Sequence, residues 1–425
     1  MTADPVTRSA QTTASLPAIK RPMRWMVASE RGLLSATVPI SPDDLDYVDV
    51  AGKVAGGGYK WADHDGSSFP AFVAEHDLGP PPAMVERLSE LVGLGAFGYH
   101  DAVARLGPAF SGWMTRRHGW TPDPGLVVPT VSVLQGVWAV VEAFTEPGDG
   151  VLLTPPIYFP FNQIGPTTGR RTVDWPLVRD SEGWHYDLDH LELLLADDPG
   201  IRLLVLCHPH NPTGRVLTND QLARIVELAT EHDLVIASDE IHSDFVYPGA
   251  THRPLPLLDG AAERTVVLTS GVKTFAMGGL RTAVASFSDE RLLARFNRVP
   301  AELLGGVNRL GCEAVIAAWD AGDEWVDALV ALFDRHRRHL VDRLADELPK
   351  VRVHLPEATF LAWLDLSALG PDGPPGRWLG GRTGVSCKSG PPFGIGGEDH
   401  VRLTFGTSTV VLDEMLDRLV DGLRG

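Results

Sequence analysis

The spacing of hydrophobic positions changes along this chain, and the changes mark out its elements. Between about residues 125 and 290, short continuous apolar runs recur at 126–128, 151–154, 202–207, 234–238, 265–269 and 283–287. Runs of this kind, without alternation, suit strands buried on both faces of a largely parallel sheet. Helical periodicity separates several of them. In the clearest case, 219–232, Thr218 and Gln221 make a capping box, and Leu222, Ile225, Val226 and Ala229 form one apolar face. A further helix is predicted over 132–144, directly after the first strand. Strand, helix, strand in succession predicts an α/β layer architecture. After Gly322 the pattern becomes a long amphipathic segment with Trp325, Leu329, Phe333, Leu340 and Leu344 at near-helical spacing. This predicts a boundary helix leading into a second domain.

A chain of 425 residues with 44% apolar composition is too long for one small core. We divide it into a polar, proline-broken tail over 1–30, an N-terminal segment over 31–100, a large domain over 101–322 and a small C-terminal domain over 323–425. The 55 acidic against 37 basic residues give a formal charge of −18, which disfavours nucleic acid and anionic membranes and favours a small-molecule partner. Cys207, Cys312 and Cys387 lack the spacing of a zinc site or disulfide framework, and no apolar run reaches membrane-spanning length. A cytoplasmic protein is expected. The histidines at 185, 190, 208 and 210 show no helical metal spacing, and Gly56–Lys60 lacks the P-loop pattern.

Lysine is scarce, with only Lys20, Lys53, Lys60, Lys273, Lys350 and Lys388. Lys273 lies just past the 265–269 strand in SGVKTFAMGGLR, whose glycines and small residues are expected to let backbone and ligand approach closely. Asn211 follows one predicted strand in HPHNPTG, and Asp239 follows the next in SDEIH. All three therefore belong at strand C-termini, the edge of an open parallel sheet where ligands bind. A pyridine cofactor needs this set: a carboxylate to keep its ring nitrogen protonated, a donor to its phenolic oxygen, and an amine to form a Schiff base.

HNPTG, SDEIH and S-x-x-K-T-F resemble fold-type I pyridoxal-phosphate enzymes, in the cystathionine β-lyase-like carbon–sulfur lyase branch of the aminotransferase class I/II family. YKW at 59–61, AFGY at 96–99, PPIYFPF at 155–161, FGIGGE at 393–398 and VRLTF at 401–405 extend the likeness in order from about Tyr59 to Ser408. The resemblance implies an α/β, aminotransferase-like fold: a mostly parallel sheet of seven-stranded type between helices, with a smaller α+β domain to which 31–100 contributes. The implied cofactor is pyridoxal 5'-phosphate on Lys273. Tyr158 is implied to stack on its ring, and His242 to stand behind it. Ser132, Val133, Ser270 and Arg281 are expected to receive its phosphate, the first two as the N-terminus of the 132–144 helix. Arg402 is implied to grip the substrate α-carboxylate. Tyr99 is implied to reach into the partner subunit's site, to phosphate and substrate, so that a homodimer shares its active sites.

The chain departs from that branch at Ser132-Val133-Leu134-Gln135, where Gly-Val-Val-Pro is usual, and at Val272 and Ala276, where Ser and Asn are usual. His100 replaces a threonine after AFGY and is placed at the substrate mouth. The expected reaction is β-elimination on an L-cysteine S-conjugate or cystathionine-like amino acid, with Tyr99 or Lys273 protonating the departing sulfur. Transamination, an oxidative or decarboxylating variant, and a cofactor-binding regulatory protein stay open, because fold and cofactor do not separate them.

Overall fold

The computed structural model describes residues 40–62 and 67–424. The expected tail over 1–30 lies outside the described residues. Seven strands form the central sheet: β1 Val127–Thr130, β2 Gly150–Leu153, β3 Arg171–Asp174, β4 Ile201–Cys207, β5 Val235–Asp239, β6 Thr265–Thr269 and β7 Ala283–Phe287. Their order across the sheet is β1-β7-β6-β5-β4-β2-β3. Only β7 runs antiparallel to its neighbours, so β1, β2, β4, β5 and β6 all end at the same edge. Register keeps those ends level: Cys207 pairs with Asp239, and Asp239 with Leu268.

Burial explains why the apolar runs read as strands. Every residue of β2, β6 and β7 is buried, as is all of β4 except Arg202. Helix α1 (Val133–Phe144) packs on one face, and α2 (Asn219–Glu231) on the other. The α2 capping box forms as expected, Thr218 Oγ1 accepting from Gln221 N and Gln221 Oε1 from Thr218 N. Helix α1 begins one residue later than expected because Ser132 is its N-cap, accepting from Gln135 N at 3.1 Å.

Helix α3 (Asp323–Glu347) buries Trp325, Leu329, Phe333, Leu340 and Leu344, the predicted stripe. It packs against α4 (Thr409–Leu423) and the antiparallel strands β8 (Leu361–Asp365) and β10 (His400–Thr404), and the short β9 (Lys388–Ser389) pairs with β10. Phe69–Pro70 pairs in parallel with Val385–Ser386, tying the early chain to this layer. Among the described residues, no helix is long and apolar enough to cross a membrane, and Cys207, Cys312 and Cys387 are free and buried.

Candidate active site

The common strand edge opens into a cavity of about 360 Å³. Asn211, Asp239 and Lys273 reach it from the ends of β4, β5 and β6, Ser132 and Val133 from the end of β1, and Tyr158 from beyond β2. His242, Arg281 and Arg402 complete the part of its wall that the sequence foretells.

Burial makes these groups reactive. Lys273 Nζ donates to the Ala74 carbonyl at 2.6 Å, and burial, aided by the nearby Arg402 charge, lowers its pKa to about 8. Burial likewise pushes the Asp239 carboxyl up to about 7, against the opposing effects of the Ile241 amide at 3.2 Å and the Lys273 charge. An amine near neutrality and a carboxylate short of a counter-charge thus face one cavity. Arg402 donates to Asn211 Oδ1 at 2.9 Å and to the Phe72 carbonyl at 3.1 Å, while its Nε has no protein partner. Buried guanidinium without a carboxylate calls for an anion from outside the chain, and burial lowers its pKa to about 10.

At the other end, Ser132 caps only the Gln135 amide, so Val133 and Leu134, both in the cavity wall, have first-turn N–H groups without a partner inside α1. Arg281 stands near them with no ion pair or hydrogen bond to a described residue, and its backbone is held at φ +49°. A non-glycine residue in that left-handed region costs about 1–3 kcal/mol, the kind of strain that collects at ligand clamps. Orphan amides, a helix N-terminus and a free guanidinium fit a phosphate. With Tyr158 for a ring face, Asn211 for a phenolic oxygen, Asp239 for a ring nitrogen and Lys273 for an aldehyde carbon, the donor set fits pyridoxal phosphate.

Three expected residues, Ser270, His100 and Tyr99, do not line this chain's own cavity. Ser270 does not line the cavity, because its hydroxyl donates to the Thr282 carbonyl and accepts from Val272 N at 3.1 Å, pinning the turn before Lys273. His100 is outside the wall too, its Nε2 3.2 Å from the Val307 carbonyl. Tyr99 is fully exposed and does not line its own chain's cavity. His242 does line it; burial pushes its pKa well down, so the ring is neutral, and Nδ1 has no partner. Gly271 serves packing and not ligand approach: a Cβ there would stand 2.8 Å from the Val315 side chain and 2.9 Å from Phe275.

Other residues at the wall and behind it are given no role by the sequence. Tyr59 is presented by its neighbours: Lys60 Nζ and Trp61 Nε1 both donate to the Asp77 carboxylate, at 2.8 and 2.7 Å. Behind Lys273, buried Asp244 accepts from Thr274 Oγ1 at 2.6 Å and Trp113 Nε1 at 3.2 Å, with His118 Nε2 at 3.1 Å. Burial alone would raise the Asp244 pKa, but His118 and Thr274 hold it down, so it stays charged and anchors the residue after the lysine. Lys388 and Phe159 also enter the wall. Among the described residues, no cluster of three or more His, Cys, Asp or Glu is arranged to hold a metal.

Comparison with known proteins bears on the whole arrangement. The model of the family described as aminotransferase class I and II matches residues 77–419. Cystathionine β-lyase PatB of Bacillus subtilis (strain 168) is 35% identical over 355 residues, covering 83% of this chain and 92% of that protein. Among solved structures, OvoB superposes with a TM-score of 0.82 at 33% identity, covering 87% of this chain and 96% of that one. A putative pyridoxal-phosphate-dependent β-cystathionase from Corynebacterium diphtheriae superposes with a TM-score of 0.84 at 26% identity, covering 90% and 99%.

Proposed function

This chain belongs to the aminotransferase class I and II family, with its type I fold and pyridoxal-phosphate cofactor, and from that premise we propose that it is a carbon–sulfur lyase acting on an L-cysteine S-conjugate or cystathionine-like amino acid. The supporting observation is the likeness to a cystathionine β-lyase across 92% of that protein's length, joined to a cavity that pairs a near-neutral lysine with an anion-seeking arginine. The net reaction consumes the conjugate and one water and gives thiol, pyruvate and ammonium.

Bound pyridoxal phosphate supplies an electrophilic carbon for the substrate amine and a ring that takes up the electron pair left when the α-proton departs. The chain's own residues do the rest. Arg402 binds the α-carboxylate and fixes which bond at the α-carbon faces Lys273. Lys273, with its pKa near 8, removes the α-proton as the free amine. Asp239 keeps the ring nitrogen protonated, so its buried carboxylate gains the counter-charge it lacks. Asn211 donates to the phenolic oxygen, Tyr158 covers the ring, and Arg281 with the first-turn amides of α1 holds the phosphate. His242 stands against the Phe360 ring, 6.0 Å between centroids, as a neutral support under the site. Lys273 or Tyr99 returns a proton to the departing sulfur.

The working unit in this reading is a cytoplasmic homodimer. Full exposure of Tyr99, with Leu94 and Phe97 also exposed beside it, suits a face covered by a second copy. Incubating the holoenzyme with cysteine S-conjugates and no oxo-acid tests the reaction. Sustained release of thiol and pyruvate supports the lyase; one turnover that leaves the cofactor in its amine form assigns an aminotransferase.

A further inference from the structure

One cation in the cavity has no role in this assignment. The lining carries Lys273, Arg281, Lys388 and Arg402 against a single carboxylate, Asp239. Cofactor aldehyde, cofactor phosphate and substrate α-carboxylate account for three of the four. Lys388 is left over.

Its position is well defined by the sheet. Lys388 lies on β9 directly opposite Arg402 on β10. Opposed residues of an antiparallel pair project to the same face, with Cβ atoms about 4.5–5.5 Å apart, so ammonium and guanidinium enter the cavity from adjacent stations. Two aromatic rings then space the charges. Lys388 Nζ lies 4.4 Å from the centroid of Phe159, and the Arg402 guanidinium carbon 5.3 Å from that of Phe393. The rings themselves meet edge to face with centroids 5.8 Å apart.

Lys388 makes no ion pair or hydrogen bond with any described residue, though it is only partly exposed. A ring face attracts an ammonium but uses none of its three donors. All three remain for a ligand, and a partly desolvated cation without a carboxylate is best satisfied by an oxyanion.

We propose that Lys388 forms a second anion subsite beside Arg402, which selects substrates carrying a carboxylate or other oxyanion on the thiol side of the cysteine. The inference rests on the α-carboxylate role given to Arg402. Arg402 takes the end of the substrate common to all amino acids, and Lys388 reads the end that differs. Preferred substrates are then doubly anionic conjugates, and the released thiol is an acid.

The test measures thiol release by holoenzyme from S-(2-carboxyethyl)-L-cysteine and from its neutral amide analogue. The wild type should favour the acid by about tenfold or more in kcat/KM, as expected for one charged hydrogen bond. Lys388→Met should lower the rate on the acid by about that factor and change the amide less than twofold; Lys388→Glu should prefer the amide. Equal acid-to-amide ratios in wild type and Lys388→Met overturn the proposal. The second arm needs no chemistry: calorimetric titration of the same holoenzymes with succinate, glutarate and adipate and with their monoamides. Tighter binding of a diacid that vanishes in Lys388→Met, without thiol release from any conjugate, retains the subsite and rejects the lyase. Thiol release with binding indifferent to Lys388 keeps the lyase and rejects the subsite.

Discussion

Asp239 and Lys273 sit in one cavity with pKa values moved toward each other, to about 7 and about 8. Raised above its unfolded value near 4, the Asp239 carboxyl holds an extra proton in the folded state between pH 4 and 7. Taken alone, this group makes the ligand-free protein less stable as pH rises across that window, by ~2–4 kcal/mol, while buried neutral histidines such as His76, His210 and His242 act in the opposite sense. Lys273 contributes no slope there, because its lowered pKa affects stability only above about 8. Urea melts of the cofactor-free protein at pH 4.5 and 7.5 should show Asp239→Asn gaining stability relative to the wild type as pH rises; a difference that stays the same at both pH values would refute it. Ala276 offers a simpler case, held at φ +49° where the related lyases usually carry asparagine. Asparagine tolerates the left-handed region better than alanine, so Ala276→Asn should stabilise by about 0.5–1 kcal/mol, raising Tm with turnover unchanged. A lowered Tm would mean that packing outweighs the backbone there. Asn211, Asp239 and Lys273 were legible in the sequence because each follows a buried apolar run whose end fixes its place. Lys388 was not, since a strand of two residues leaves no periodic trace. Ser270 shows a local competition: a hydroxyl two residues before an amide closes on the backbone of its own turn.

Helix α1 delivers its N-terminus to the cavity through Gln135, at a position where the related lyases have proline. Gln135 Oε1 accepts from Val131 N at 3.0 Å, and Nε2 donates to the carbonyls of Leu303 and Leu304 at 2.9 and 2.6 Å. The side chain thus joins the phosphate end of α1 to the 301–304 helix. Gln135→Ala leaves two carbonyls and one amide without their partner. It should cost about 1–2 kcal/mol of stability and weaken cofactor affinity several-fold, read by fluorescence titration of the cofactor-free protein; unchanged affinity would deny the link a role in cofactor binding. Six of the seven central strands were legible from continuous apolar runs, which reflect burial on both faces for the inner strands and a half-buried face for β1 at one edge. β3, at the other edge, was missed because Arg171, Thr172 and Asp174 are exposed, so no apolar run announces it. What placed β7 antiparallel is also absent from its sequence, since a fully buried strand reads alike in either direction.

At the scale of the whole molecule, the described chain supplies a cofactor cavity but leaves Tyr99 outside it, with Leu94 and Phe97 exposed nearby. If Tyr99 acts across a dimer, co-refolding Tyr99→Ala with Lys273→Ala chains restores one intact site per heterodimer. About a quarter of wild-type turnover should return when two inactive homodimers are mixed, and none if Tyr99 acts only at the surface of its own chain. The pairing of copies was not readable from hydrophobic pattern, because an exposed aromatic looks the same whether solvent or a partner covers it. The division of labour among strand ends was readable, and it carries the central claim that residues from β1, β4, β5 and β6 converge to hold pyridoxal phosphate on Lys273. Borohydride reduction of the holoenzyme followed by peptide mapping tests that claim most directly. The account predicts one reduced pyridoxyl group, on Lys273, and no incorporation in Lys273→Ala; a label on another lysine, or label retained in the variant, would contradict it.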